Sequence, residues 1–220
     1  MVTVVRRRSA ATPVVLVTGF QPFGPHDVNP TEELAKAVDG RRLGDAQVRA
    51  AVLPVHHAEA CPAVARLVDE TDPAVIVHLG LAAGRARVAV ERVAVNVMDY
   101  DLPDAAGYQA AGEPCVAGGP AAYFSTLPVR TIAAALVAEG IPGYVSSTAG
   151  TYLCNQTLYG TLHLLAARGG RTRAGFLHFP LLPSMVAAAG AEQPSMDFAL
   201  MLRALEVTLR VVTARASSTP

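Results

Sequence analysis

The sequence predicts an α/β domain whose largely parallel sheet is covered by helices on both faces. Three observations carry this. Hydrophobic residues make up 51% of the 220-residue chain, which places it among folded globular proteins. Six apolar runs are spaced along it, several of them continuous rather than alternating, as in strands buried on both faces. Between those runs lie segments with recognisable helix starts, and alternating strands and helices build a sheet covered on both sides.

The expected strands are residues 14–20, 47–55, 74–81, 88–97, 143–148 and 175–179. Asn29-Pro30-Thr31-Glu32 offers an N-cap, a proline at the first helical position and an acid in the first turn. Thr126-Leu127-Pro128 opens a helix toward Gly140, and Ser195-Met196-Asp197 opens a final amphipathic helix through about Ala214. There is no internal repeat and no interdomain linker. The expected organisation is one domain over 14–214, with tails at 1–13 (including Arg6 to Arg8) and 215–220. The irregular stretch 99–122 is long for a compact domain, and a lid over a site and a subunit-contact arm explain it equally well.

Composition excludes several functions. Lys+Arg and Asp+Glu balance at 18 each, which gives no electrostatic case for nucleic acid or an anionic membrane. No apolar run reaches membrane-spanning length, and the first residues lack the zones of a secretory signal. Three widely spaced cysteines make neither a disulfide framework nor a C-x-x-C metal pair, so the expected setting is the reducing cytoplasm, with no metal.

The first apolar run ends in VTGFQPFG, where Gly19 and Gly24 reproduce the frame of a phosphate loop. Pro25-His26 stands where Lys-Ser/Thr is required, and Phe20, Pro22 and Phe23 fill the middle. The loop is not built for a phosphate.

In SSTAGTYLCNQTLYGTLHLLAARGG, residues 146–170, a strand end and a turn at Gly150 lead into a helix that Gly169-Gly170 stops. Cys154 falls in its first turns, where the helix dipole and free N–H groups favour a thiolate and can receive an oxyanion. The plainer alternative is a small buried hydrophobe, as most free cysteines are. A nucleophile needs a base. His163, nine residues on, lies on the opposite helix face roughly 13 Å away. His78 in VIVHLGL reads as a hydrogen-bonded core histidine, and His26, His56 and His57 as surface or capping residues. His178 in GFLHFP stands near the carboxyl end of a strand, where open α/β sheets place their sites, and is the best-placed base. The orienting carboxylate is expected at Glu91 in VAVERVAVNV, on one face with Ala89, Val93 and Val95. By the pattern alone, pairing with a structural arginine such as Arg85 or Arg92 is the slightly favoured explanation of that glutamate.

These segments together resemble the pyroglutamyl peptidase I family. The likeness runs from about Val14 to the last helix and rests on VTGFQPFG…NPT, HLGLAAGR…VERVAVN, PAAYFSTLP, STAGTYLCNQTLYGTLH and GFLHFPLLP, in that order. The resemblance implies a three-layer α/β/α sandwich with a phosphorylase/hydrolase-like twisted sheet, commonly tetrameric or dimeric and cytoplasmic. It implies a cysteine peptidase that needs no cofactor and removes N-terminal pyroglutamate from peptides. Its triad falls on Glu91, Cys154 and His178. Its pocket falls on Phe20, Phe23, Leu81, Leu102 and Leu153, with Asn29 supporting the loop. Without the resemblance, both phenylalanines read as core.

The chain also departs from the family pattern. Many bacterial members carry an arginine at the position of Asp101, and several have a glutamine at that of Leu81; a methionine is common at that of Thr157. Two rivals follow: a catalytically silent pyroglutamyl-binding homologue, and a nucleoside phosphorylase-like enzyme of similar fold, which would need the phosphate site that VTGFQPFG lacks.

Overall fold

The computed structural model describes residues 12–190 and 192–214, so the expected tails lie, apart from Thr12 and Pro13, outside the described residues. The chain runs β1 (Val14–Phe20), α1 (Pro30–Val38), β2 (Arg42–Leu43), β3 (Ala46–Leu53), α2 (Ala60–Thr71), β4 (Val75–Leu81), β5 (Val88–Glu91), β6 (Val93–Val95), β7 (Met98–Asp99) and β8 (Ala111–Glu113). It continues through β9 (Ala122–Phe124), α3 (Val129–Ala138), β10 (Gly143–Ser146), α4 (Leu153–Arg168), β11 (Arg173–Phe179), α5 (Pro183–Ala189) and α6 (Phe198–Thr213).

Seven strands form the main sheet in the order β10-β5-β11-β4-β1-β3-β2. Strands β11, β4, β1 and β3 are mutually parallel. Strands β5 and β10 run parallel to each other but antiparallel to β11, and β2 is an antiparallel edge on β3. Alternate side chains divide the core into two layers. Val15, Val17, Val75, Val77, Leu79, Leu177 and Phe179 pack with residues of α1, α3 and α6. Leu16, Phe20, Ile76 and Phe176 pack on the other face with residues of α2 and α4. The three-layer expectation holds, and the α2/α4 face carries the site.

Local chemistry explains the helix ends that matter. Asn29 caps α1 by accepting from Thr31 N, with Pro30 at the first helical position. Helix α4 has no side-chain cap at its start and ends on Gly169 in the left-handed conformation at φ 59°. The expected strand 88–97 is instead broken at Arg92, whose N–H donates to Ser146 O in β10 and whose carbonyl accepts from Ser125 N. Beyond it, β6 pairs with β9 in a separate two-stranded sheet, so Glu91 ends its strand. The stretch 99–122 is not structureless. Strands β7 and β8 pair, β9 joins β6, and Tyr100 and Asp104 are buried against the α4 side of the domain.

Candidate active site

The site forms where the carboxyl ends of β1, β4 and β11 meet the start of α4. Gly80 and His178 are paired in the β4–β11 register, and both belong to the face that α4 covers. Cys154 is the second residue of α4. A Cβ placed on Gly80 would lie 2.9 Å from Cys154 Sγ and 2.7 Å from the Phe176 ring. The sulfur therefore sits directly over Gly80, next to the strand that carries His178, and only glycine leaves it that space.

On the other side of His178, its Nδ1 lies 2.8 Å from Glu91 Oε1. The same oxygen accepts from Arg85 Nη1 at 2.7 Å, and Arg85 Nη2 reaches Thr148 O at 3.2 Å. The two explanations of Glu91 thus coincide, because histidine and arginine share one carboxylate oxygen. Oε2 has no hydrogen-bond partner among the described residues. Burial works to raise the Glu91 pKa, but contacts from His178, Ser146 and Arg85 outweigh it and hold the carboxyl below its ordinary range. An ionised carboxylate can only accept, so Nδ1 carries the imidazole proton and Nε2 is left as a base. Burial lowers the pKa of His178, with Glu91 opposing and Arg85 assisting, which favours the neutral ring.

Cys154 departs from the thiolate expected of a helix start. Burial, reinforced by the negative charge of Glu91, pushes its pKa up to about 12, against smaller lowering effects from Arg85 and its own backbone N–H. The resting group is a thiol, so its proton must leave as the sulfur reacts.

A small recess of about 240 Å³, its open mouth included, adjoins the sulfur. Phe20, Phe23, Asn29, Leu81, Leu153 and Cys154 line it, together with Val55 and Tyr152. Five of the six expected pocket residues thus meet around the sulfur. Leu102 does not line the recess; it is exposed near the Gly24 turn, with the exposed Asp101 beside it. The half-buried Phe23 stacks on Tyr152 at 5.9 Å, and the Tyr152 hydroxyl donates to Pro103 O. Asn29 braces the loop as expected, since its Nδ2 donates to Gln21 O at 3.0 Å. Val55 and Tyr152 had escaped sequence reasoning. The aromatic residue two before Cys154 was the only available signal for Tyr152, and Val55 gave none.

No other region of the described residues matches this convergence. The groove lined by Arg42, Arg173 and Arg210 lies at the amino ends of the strands and holds none of the candidate residues. His56, His57 and Asp104 bring donor atoms within 4.8 Å of one another. Their arrangement does not suit a metal. Asp104 Oδ2 already accepts from the His57 N–H and faces its ring Nδ1, and the two imidazoles stack at 15°, so their lone pairs do not converge.

The pyroglutamyl peptidase family model matches residues 14–215, nearly the whole described chain. The chain belongs to the pyroglutamyl peptidase family. Pyrrolidone-carboxylate peptidase of Pyrococcus furiosus is 44% identical over 200 residues, covering 90% of this chain and 96% of that protein. The protein of the same name from Cupriavidus taiwanensis is 45% identical over 208 residues, covering 94% of each. The X-ray structure of the pyrrolidone carboxyl peptidase from Pyrococcus furiosus superposes with a TM-score of 0.88 at 43% identity, covering 90% of this chain and 97% of that one. These likenesses confirm the α/β fold and the family assignment. No helix of the described residues is long and apolar enough to cross a membrane.

Proposed function

We propose that this pyroglutamyl peptidase family member is a cysteine exopeptidase that hydrolyses the N-terminal pyroglutamyl residue from peptides. The observation that carries the reading is the placement of Cys154 Sγ over Gly80, beside the His178–Glu91 pair and on the wall of an aromatic recess. Pyroglutamate is a flat, uncharged lactam. Phe20, Phe23 and Tyr152 suit its ring, and an apolar recess rejects the ammonium of an ordinary N-terminus, which would be buried unpaired.

The chemistry follows from the protonation states. As Cys154 Sγ attacks the pyroglutamyl carbonyl carbon, its proton passes to Nε2 of His178. The carbonyl π electrons move to oxygen, and N–H groups of the uncapped α4 start face that oxyanion. The C–N bond then breaks, and the imidazolium returns its proton to the leaving amine. A thioester to Cys154 remains. Water, losing its proton to His178, cleaves it to pyroglutamate and regenerates the thiol. Glu91 holds the ring tautomer throughout and stabilises the transient imidazolium. Phe23, Asn29 and the other recess residues act in binding.

On the same reading the enzyme works as a homo-oligomer, a dimer or a tetramer, in the cytoplasm. Phe124 on β9 is 71% exposed, which suits a subunit contact, and all three cysteines are free, which suits a reducing compartment. The test is to incubate the protein with one peptide bearing pyroglutamate, glutamine or proline at its N-terminus and to identify products by mass. Release of pyroglutamate from the first peptide alone is expected. No release, or equal cleavage of all three, overturns the proposal.

A further inference from the structure

The proposed mechanism leaves a second buried histidine unused. His78 lies two residues before Gly80 on β4 and exposes no surface. Its Nδ1 is 2.7 Å from Thr18 Oγ1 and its Nε2 is 3.0 Å from Thr161 Oγ1. Thr18 is its registered neighbour on β1, and Thr161 belongs to α4. Burial drives the pKa of His78 down to about 3, so the ring is neutral at working pH and has one N–H and one lone pair. Each nitrogen meets one hydroxyl. The group is fully satisfied and spans three elements.

Among the described residues, the His78–Thr161 contact is the one side-chain hydrogen bond joining α4 to the seven-stranded sheet. The other α4 side chains bond elsewhere. Asn155 reaches Val95 and Val97, Gln156 reaches His57 O, and Tyr159 reaches Pro120 O. His163 pairs with Tyr123 and Arg168 with Asp69. The spacing makes this bond consequential. Thr161 is seven residues after Cys154, nearly two turns, and so lies on the same helix face about 10 Å along the axis. His78 and Gly80 share a face of β4 about 7 Å apart. One helix and one strand therefore meet twice, with Thr161 on His78 and Cys154 Sγ on Gly80. Apolar packing between them is non-directional, whereas a hydrogen bond fixes both rotation and axial slide.

We propose that His78, acting through Thr161, is a positioning residue that sets α4 so that Cys154 Sγ is held over Gly80 beside His178. This rests on the reading of Cys154 as the nucleophile.

The test is Thr161→Val, which removes the hydroxyl at nearly constant volume. Three quantities are read on folded protein: kcat and KM for a pyroglutamyl amide, and the rate of Cys154 alkylation by iodoacetamide, followed by peptide mapping across pH. The expected result is a fall in kcat of about tenfold or more with KM little changed, as for a small displacement of a reacting group. Alkylation of Cys154 should slow in parallel, and Thr161→Ser should restore both. Thr18→Val, which keeps the His78–Thr161 bond, should leave both near wild type. A Thr161→Val protein with wild-type kcat and alkylation overturns the proposal. So does Thr161→Ser no better than Thr161→Val, or equal losses in Thr18→Val, which would mark the network as merely structural. Should Thr161→Val not fold, Thr161→Ala removes the same hydroxyl and carries the same expectations. Alkylation needs no substrate, so an inactive wild type with the alkylation pattern intact would sink the peptidase reading while leaving the positioning one standing.

Discussion

Arg85 and His178 meet on the same oxygen of Glu91, at 2.7 and 2.8 Å. A carboxylate shared in this way is kept ionised by two donors, and the imidazole it orients feels a fixed positive charge nearby. Arg85 thus works in both directions. It supports the carboxylate that stabilises an imidazolium, and its own charge opposes that imidazolium.

Removing the guanidinium separates these effects. Its charge lowers the pKa of His178, so in Arg85→Ala that pKa should rise. The histidine then loses its proton only at higher pH, and the acid limb of the kcat/KM profile should move up. A pH–rate profile of Arg85→Ala beside wild type measures this. An unmoved limb, or one displaced to lower pH, would show that Arg85 does not act on the histidine.

Gly80 gives the sharpest steric prediction. An alanine there would set a methyl group 2.7 Å from the Phe176 ring and 2.9 Å from Cys154 Sγ. One of the two must move. Overpacking of this kind costs roughly 1–3 kcal/mol of stability. Displacing a nucleophile by a fraction of an ångström to an ångström should lower kcat/KM on the order of 100-fold. Thermal unfolding and steady-state kinetics of Gly80→Ala check both. Full activity would mean that the sulfur does not work from the position over Gly80.

Asp104 ties the segment after β7 to the start of α2. Its Oδ1 accepts from the N–H groups of Ala106 and Tyr108, and its Oδ2 accepts from the His57 N–H and faces the His57 ring. Burial works to raise its pKa, but these bonds outweigh it and bring the value down to about 2. A depressed carboxyl stabilises the fold above its unfolded pKa and loses that contribution as pH falls through the folded value. Asp104→Asn should therefore cost roughly 1–2 kcal/mol at neutral pH, and the gap from wild type should close between about pH 4 and pH 2. Denaturant melts at a series of pH values would show it, and a gap that widens in acid would contradict the sign.

Thr157 is buried in α4 with its hydroxyl unpartnered among the described residues. An unsatisfied buried hydroxyl is a net cost, so Thr157→Val, equal in shape and apolar, should stabilise the protein by about 1 kcal/mol. The midpoint of a chemical melt reports it. Destabilisation would indicate a hydrogen bond that the structure does not show.

Much of this was legible in the sequence for definite reasons. Continuous apolar runs located β1, β4 and β11, because strands buried on both faces leave no polar alternation to obscure them. The Asn29-Pro30-Thr31 signal and Gly169 fixed helix ends through local hydrogen bonding and the left-handed cap. His78 was read correctly as a hydrogen-bonded core histidine. Orientation was not legible, since a buried strand looks the same in either direction, and the parallel pair β5 and β10 runs against β11. The break at Arg92 is made by hydrogen bonds to Ser146 and Ser125, distant in sequence. Strands as short as β7 and β8 carry no period to detect. The roles of Gly80 and Val55 arise only where separate elements meet, and no local pattern announces such meetings.

The most direct test of the account is hydrolysis of a pyroglutamyl amide of a fluorogenic amine by wild type beside Cys154→Ala. Release of the amine by wild type and none by the variant is predicted. Release by both would remove Cys154 from its role, and release by neither, from folded protein, would contradict the peptidase reading and leave a silent binder.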